Sequence, residues 1–355
     1  MPDNKLITFI ENSFLYELIK DEDITDISFN GYSLYYLHNF KGRKESKIKI
    51  SNTDAKDFIR QIANLTEKQF SYQNPILDVT VGKYRINAVH NSIGRYGEDQ
   101  VVTFSIRIAS IKPRITDDSG FLTPELVSLF ITLIKSGVSL VIGGITGSGK
   151  TEFQKYLLRK MPLSTRVIVI DNVLELSQMD FKEKIDINIW QADERNLSTS
   201  IQLLVKNALR SNPDWLIVAE SRGGEMLEIL NSAMTGHPVI TTIHAQSIET
   251  MPSRLTRMVM MNDKRSDYRD VINDVKTNFP VYVFLRRNID AVGKVTRRID
   301  SIGIVNQKGK LCLVYQYKKG KHIYSPIDYG ALHINVFPEN ELFIKTFGGV
   351  TDENI

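Results

Sequence analysis

The pattern of apolar and polar positions changes character about a third of the way along the chain. In residues 6–21, LITFIENSFLYELIKD, apolar side chains recur at helical spacing, which predicts a helix. Two later stretches, DISFNGYSLYYL (26–37) and KYRINAVH (83–90), alternate as strands do and sit around Asn-Gly and Gly-Lys turns. Short helices mixed with hairpin strands predict a small α+β domain over residues 1–108. The segment SIKPRITDDSGFLTP (110–124) breaks the pattern with prolines, a glycine and adjacent aspartates, so 109–121 reads as an exposed linker.

From 122 to 355 the pattern is one of strands followed by helices. Thr123 can cap a helix that starts at Pro124, with Glu125 in its first turn and Leu126, Leu129, Phe130, Leu133 and Ile134 on one face. Apolar runs follow at VSLVIGG (138–144), RVIVID (166–171) and WLIVAE (215–220), and a helix is expected from Lys150 to about Lys160. Continuous apolar strands that end in polar or charged residues predict an α/β fold with a parallel sheet covered on both faces. Ligands on such sheets bind at the carboxyl ends of the strands. From about Gly303 the chain reads as two or more strands and a less regular end, a β-rich tail.

Composition narrows the picture only a little. With 355 residues the chain can form two domains, and a net charge of +4 does not by itself argue for nucleic acid. The single cysteine, Cys312, excludes an intramolecular disulfide and any zinc site built on two cysteines; it reads as a small buried side chain in a strand. No run approaches the ~18 apolar residues that span a bilayer, and the start MPDNKLITFIENS is acidic where a signal peptide needs a basic end. Membrane association is therefore expected to be peripheral or through a partner.

The candidate chemistry lies at the strand ends. Gly144 to Thr151 reads GITGSGKT, the G-x-x-x-x-G-K-[ST] pattern, between a predicted strand and a predicted helix. Gly144, Gly147 and Gly149, with Thr146 and Ser148 between them, let backbone N–H groups converge on phosphate. The Lys150 ammonium bridges the terminal phosphates, the helix end adds its positive dipole, Thr151 offers a hydroxyl to Mg²⁺, and Glu152 completes the stretch expected to bind nucleotide. A glycine-rich turn capping a helix is the bland alternative, and the strand, lysine and hydroxyl in register argue against it.

In PDWLIVAESRGGE (213–225), Glu220 ends a strand where it can hold the magnesium shell or orient water, with Arg222 and Glu225 on the same edge. In VIVIDNVLEL (167–176), Asp171 ends another strand and Glu175 follows; either of these acids, or Glu220, could polarise an attacking water. In TGHPVITTIHAQS (235–247), His237 and His244 flank a β-branched strand about 23 Å long, too far apart to share a metal. They read as hydrogen-bonding sensors or as structural histidines.

The order of these boxes resembles the type II/type IV secretion ATPase family, the hexameric motors of secretion, pilus-assembly and conjugation machines. GGITGSGKT, IDNVLEL, PDWLIVAESRGGE and TGHPVITTIHA are similar to its Walker A, Asp, Walker B and His boxes, and DEDITDISFNG, KYRINAVH, TFSIR and KNALRSNPD resemble its flanking segments. Coverage runs over about residues 15–300. The resemblance implies a RecA-like P-loop ATPase domain behind a smaller α+β, PAS-like amino-terminal domain. It also implies a homo-hexameric ring and ATP with Mg²⁺ as cofactors, Thr151 and Glu220 serving the metal. Glu175 would be the favoured activator of water and His244 the His-box residue. Arg85 and Arg107 would reach from the amino-terminal domain toward nucleotide as it closes about the linker, and Arg210 and Arg222 are weaker candidates for the subunit seam.

Two positions depart from the family pattern. Asp171-Asn172 stand where Glu-Asp is usual, and Ala219 stands where Gly usually precedes the Walker B acid. The tetracysteine insertion of some type II members is absent, which favours the type IV secretion, conjugation or Tad-pilus branch. The implied partners are an inner-membrane platform or other ATPases of the machine, with no direct sequence-specific nucleic acid, and the implied location is cytoplasmic, peripheral to that membrane. A RecA-type nucleic-acid translocase and a slow nucleotide switch for partner docking stay open beside the motor.

Overall fold

The computed structural model describes residues 2–110, 112–179, 186–193, 196–327, 332, 334 and 341–348. The chain divides into two compact units, Met1–Lys112 with Asn288–Thr296, and Pro113–Arg287 with Arg297–Ile355.

The first unit is α+β. Helices α1 (Pro2–Glu11) and α2 (Tyr16–Ile19) replace the single helix expected over 6–21. Ser13 causes the break: its hydroxyl donates to Ile10 O and accepts from Leu15 N, diverting the backbone from the helical pattern. Strands β1 (Ile24–Phe29) and β2 (Leu34–His38) form the Asn-Gly hairpin, where Gly31 has φ +97° and a Cβ would strike Val101. After β3 (Gly42–Glu45) comes α3 (Asn52–Leu65), started by a reciprocal capping box between Ser51 and Asp54.

The hairpin of β4 (Ile76–Val81) and β5 (Tyr84–Val89), the small ribbon of β6 (Arg95–Tyr96) and β7 (Asp99–Gln100), and β8 (Thr103–Ile108) complete the unit. The main sheet has the order β3-β2-β1-β8-β5-β4 and is antiparallel where its registers are recorded. One face of α3 (Ala55, Phe58, Ile59, Ile62, Ala63) packs into the core that the sheet lines. Asn288–Thr296, expected in the later domain, also belongs here, and Val295 N donates to Phe40 O.

The second unit begins with α4 (Pro124–Lys135), capped by the Thr123 hydroxyl on Leu126 N as the sequence predicts. It continues through β9 (Leu140–Gly144), α5 (Lys150–Arg159), β10 (Arg166–Asp171), β11 (Asp186–Gln191), α6 (Ile201–Ala208), β12 (Trp215–Val218), α7 (Met226–Met234) and β13 (Val239–His244). Helices α8 (Met251–Asn262) and α9 (Tyr268–Asn278) precede β14 (Val281–Ile289), β15 (Val295–Val305), β16 (Leu311–Lys318) and β17 (Lys321–Tyr324), and α10 (Glu341–Phe347) comes last.

The sheet order is β11-β10-β12-β13-β9-β14-β15-β16-β17. Strands from β11 to β14 pair in parallel and the β15-β16-β17 end is antiparallel. Side chains alternate between two cores, Leu140 and Ile142 of β9 entering one and Val141 the other, so the parallel strands are apolar throughout because both faces are covered. This RecA-like α/β arrangement puts β13 between the strand that leads into the glycine-rich loop 144–149 and the strand that leads into Glu220.

Two readings of the sequence need adjustment. The segment 109–121 is not an exposed tether along its whole length: Ile115 is buried, and Asp117 accepts from Tyr156 Oη (2.8 Å) and Lys160 Nζ (2.6 Å) of α5. Cys312 is on a strand but half-exposed, because it lies on β16 near the antiparallel rim of the sheet rather than in its parallel centre.

Candidate active site

β9 delivers the chain to Gly144, and α5 starts six residues later. Between them Gly144, Gly147 and Gly149 have φ of +155°, +73° and +98°, conformations that favour glycine. No side chain caps the amino end of α5, so the first-turn N–H groups, including those of Lys150, Thr151 and Glu152, are left to a ligand or solvent. Ser148 Oγ is buried and makes no hydrogen bond among the described residues. Thr146 is exposed on the loop, Thr151 is half-buried, and Glu152 is engaged by Lys155 Nζ at 3.0 Å.

The Lys150 side chain is buried and folds back onto the loop, donating to Gly144 O (3.1 Å) and Ile145 O (3.2 Å). Its Nζ lies 3.5 Å from His244 Nδ1, and His244 Nε2 lies 2.9 Å from Glu220 Oε1. Donation from Lys150 to Nδ1 leaves the proton of a neutral imidazole on Nε2, within ion-pairing reach of Glu220 Oε1, although that buried oxygen accepts no hydrogen bond among the described residues. Arg222 closes the series by donating from Nη2 to Glu220 Oε2 at 2.6 Å.

Burial lowers the Lys150 pKa to about 8, against the opposing pull of Glu220. Burial and then the Lys150 charge push His244 down as well. For Glu220 burial pushes upward, but the hydrogen bond and charge of Arg222, with the charge of Lys150, hold the carboxyl below its usual range.

Parallel pairing brings these residues together. His244 pairs with Gly144 across β13 and β9, and Glu220 follows two residues after Val218, which pairs with Thr241. The cluster fits a phosphate ester with a hard cation: uncapped amides, a lysine in no ion pair among the described residues, and oxygen donors on Thr151 and Glu220.

Other expected residues stand elsewhere. Asp171 is buried, and its two oxygens accept from Val173 N (2.8 Å) and Leu176 N (2.9 Å), so it organises the loop that carries half-buried Glu175. His237 is at the other end of β13, beside Thr235 Oγ1 (3.2 Å), and Arg210 is exposed on the turn after α6. Glu225 accepts from the amides of Arg222 and Gly223 and shapes that turn. In the first unit Arg85 and Arg107 are opposite each other across β5 and β8, near Asp78 (3.8 Å) and Asp26 (3.4 Å).

Two further features have no counterpart in the sequence reading. Arg287 and Arg297 lie against the phosphate loop, and Arg297 Nε donates to Gly147 O at 2.6 Å. Asp21, Asp23 and His38 bring possible ligand atoms within 4.8 Å of one another. That trio does not suit a metal, because His38 Nδ1 accepts from the amides of Phe40 and Lys41, leaving the ring proton on Nε2 toward Asp21.

Residues 99–298 match the family model described as Type II/IV secretion system protein. The chain belongs to that family. An uncharacterised protein of Bacillus anthracis is 30% identical over 292 residues, covering 79% of this chain and 64% of that one. The type IV secretion system protein VirB11 of Brucella suis is 30% identical over 230 residues, covering 56% of this chain and 63% of its own. The chain thus spans less than two thirds of the length of either relative.

In fold, the second-unit and first-unit architectures are like those of the Legionella pneumophila ATPase DotB, with a TM-score of 0.64 at 18% identity over 83% of this chain and 80% of that one. The pilus retraction motor PilT, solved with ADP, gives a TM-score of 0.56 at 20% identity over 80% of each chain. The Type II/IV secretion system match includes Arg107, Lys150, Glu220 and His244, and it extends through Arg287 and Arg297.

Proposed function

We propose that the chain is an ATP hydrolase that powers a type IV secretion, conjugative-transfer or pilus-assembly machine, working as a homo-hexamer that associates peripherally with a membrane platform. The observation that carries this reading is the Lys150–His244–Glu220–Arg222 series at the carboxyl ends of neighbouring strands, beside an uncapped helix end. Membership of the Type II/IV secretion system family supports it, and so does the similarity to the type IV secretion system protein VirB11. No helix among the described residues is long and apolar enough to cross a membrane.

In this reading the triphosphate draws the Lys150 ammonium from the carbonyls of Gly144 and Ile145, and the loop and first-turn amides cradle the phosphates. Thr151 and Glu220 would hold Mg²⁺, which when bound neutralises charge on the phosphates. Glu175 polarises the attacking water, and His244 connects Lys150 with Glu220, so that loss of the lysine from its resting contacts is felt at the Glu220 carboxylate.

Lys150→Ala tests the assignment. Titration with a fluorescent ATP analogue should show binding to the wild type and at least tenfold weaker binding to the variant, with unchanged oligomer mass by light scattering. Equal affinities would refute the phosphate site.

A further inference from the structure

We propose that Arg287 is a polyphosphate-binding residue of this site and that Arg297 is a positioning residue for its loop, so that β14 and β15 supply a second cationic wall beyond Lys150. The inference rests on the nucleotide reading above and specifies the ligand: a nucleoside di- or triphosphate, distinguished from nucleoside by charge.

The placement follows from strand register. Leu285 of β14 pairs with Gly144 of β9, and Val283 and Leu285 enter the same core. Two residues further along β14, alternation sends Arg287 to the same face, beyond the end of β9 and over the loop. Its Nη1 and Cζ lie 3.6 and 3.8 Å from the point where a Cβ on Gly147 would stand. Arg287 Nε is buried and makes no hydrogen bond among the described residues.

Arg297 shares a face of β15 with buried Ile299 and holds the loop directly through Gly147 O, with its Cδ 3.7 Å from the corresponding point on Gly149. Burial lowers the Arg297 pKa to about 10, and the charges of Arg287 and Arg114 add to that. A polyanion bound beside these like charges would lower their mutual repulsion. Guanidinium groups match phosphate oxygens in geometry as well as charge. The two arginines also bracket Asn288–Thr296, the part of the later chain that belongs to the first unit.

Calorimetric titration of the full chain with ATP, ADP and adenosine, at low and high salt, tests the assignment. Arg287→Gln should weaken ATP and ADP at least tenfold and flatten the salt dependence, with adenosine unaffected, while Arg287→Lys recovers part of the loss as a point charge. Circular dichroism of both variants establishes that they fold, and if Arg287→Gln does not, the comparison is made on Arg287→Lys, which should bind ADP more weakly than the wild type. Arg297→Gln should raise KM for ATP more than it lowers kcat, as expected of a group that acts through Gly147.

Wild-type affinity and salt dependence in the folded Arg287 variants would overturn the inference alone. A wild-type chain that binds no nucleotide would overturn the reading beneath it, and the inference with it.

Discussion

Lys150 shows how one side chain can be prepared for a ligand at a cost to the fold. Its ammonium is buried against backbone carbonyls and a neutral imidazole, and burial lowers its pKa to about 8. A native pKa below the unfolded one means that the native state binds fewer protons in the alkaline range, so stability rises as pH increases through about 8 and upward. A polyphosphate reverses the preference by favouring the ammonium. At pH 8.5, ATP binding should therefore take up most of a proton and at pH 6.5 almost none, as read by calorimetry in buffers of different ionisation enthalpy. Equal uptake at both values would contradict a lysine–phosphate contact. The glycines and the lysine were legible as residues, but their charge state was not, because it depends on burial and on His244 and Glu220, which arrive from distant parts of the chain.

At the scale of elements, the continuous apolar runs announced β9, β10 and β12, and Thr123-Pro124 announced the start of α4. The break between α1 and α2 was hidden because Ser13 ends the first helix through side-chain bonds while the apolar period continues past it. Arg287 and Arg297 were hidden for a different reason: within FLRRNIDAVGKVTRRID they look like ordinary basic residues, and only the pairing of Leu285 with Gly144 puts the first of them over the loop. The loop after β10 is an element whose role changed on inspection. Asp171 was read as a possible catalytic acid, yet its oxygens hold the amides of Val173 and Leu176, and Leu174 between them has φ +59°, a costly conformation for leucine. Asp171→Asn replaces one acceptor by a donor facing an amide. It should lower stability by about 1–3 kcal/mol in urea unfolding and reduce turnover by displacing Glu175. Unchanged stability would show that the loop does not depend on that carboxylate.

Over the whole molecule, the chain divides into two units, and the membership of Asn288–Thr296 in the first is not legible in the sequence, since nothing in that stretch marks a change of domain. The second unit contains the Lys150, Glu220 and His244 series and the loop that carries Glu175, and the first contains Arg85 and Arg107 on adjacent strands. The central claim is that this series hydrolyses a nucleoside triphosphate. Steady-state phosphate release from Mg-ATP by the purified chain, compared among wild type, Lys150→Ala and Glu175→Gln, tests it most directly. The account predicts magnesium-dependent release by the wild type, at least a hundredfold less from each variant, and retained nucleotide binding only in Glu175→Gln. Release that persists at the wild-type rate in Lys150→Ala would contradict it.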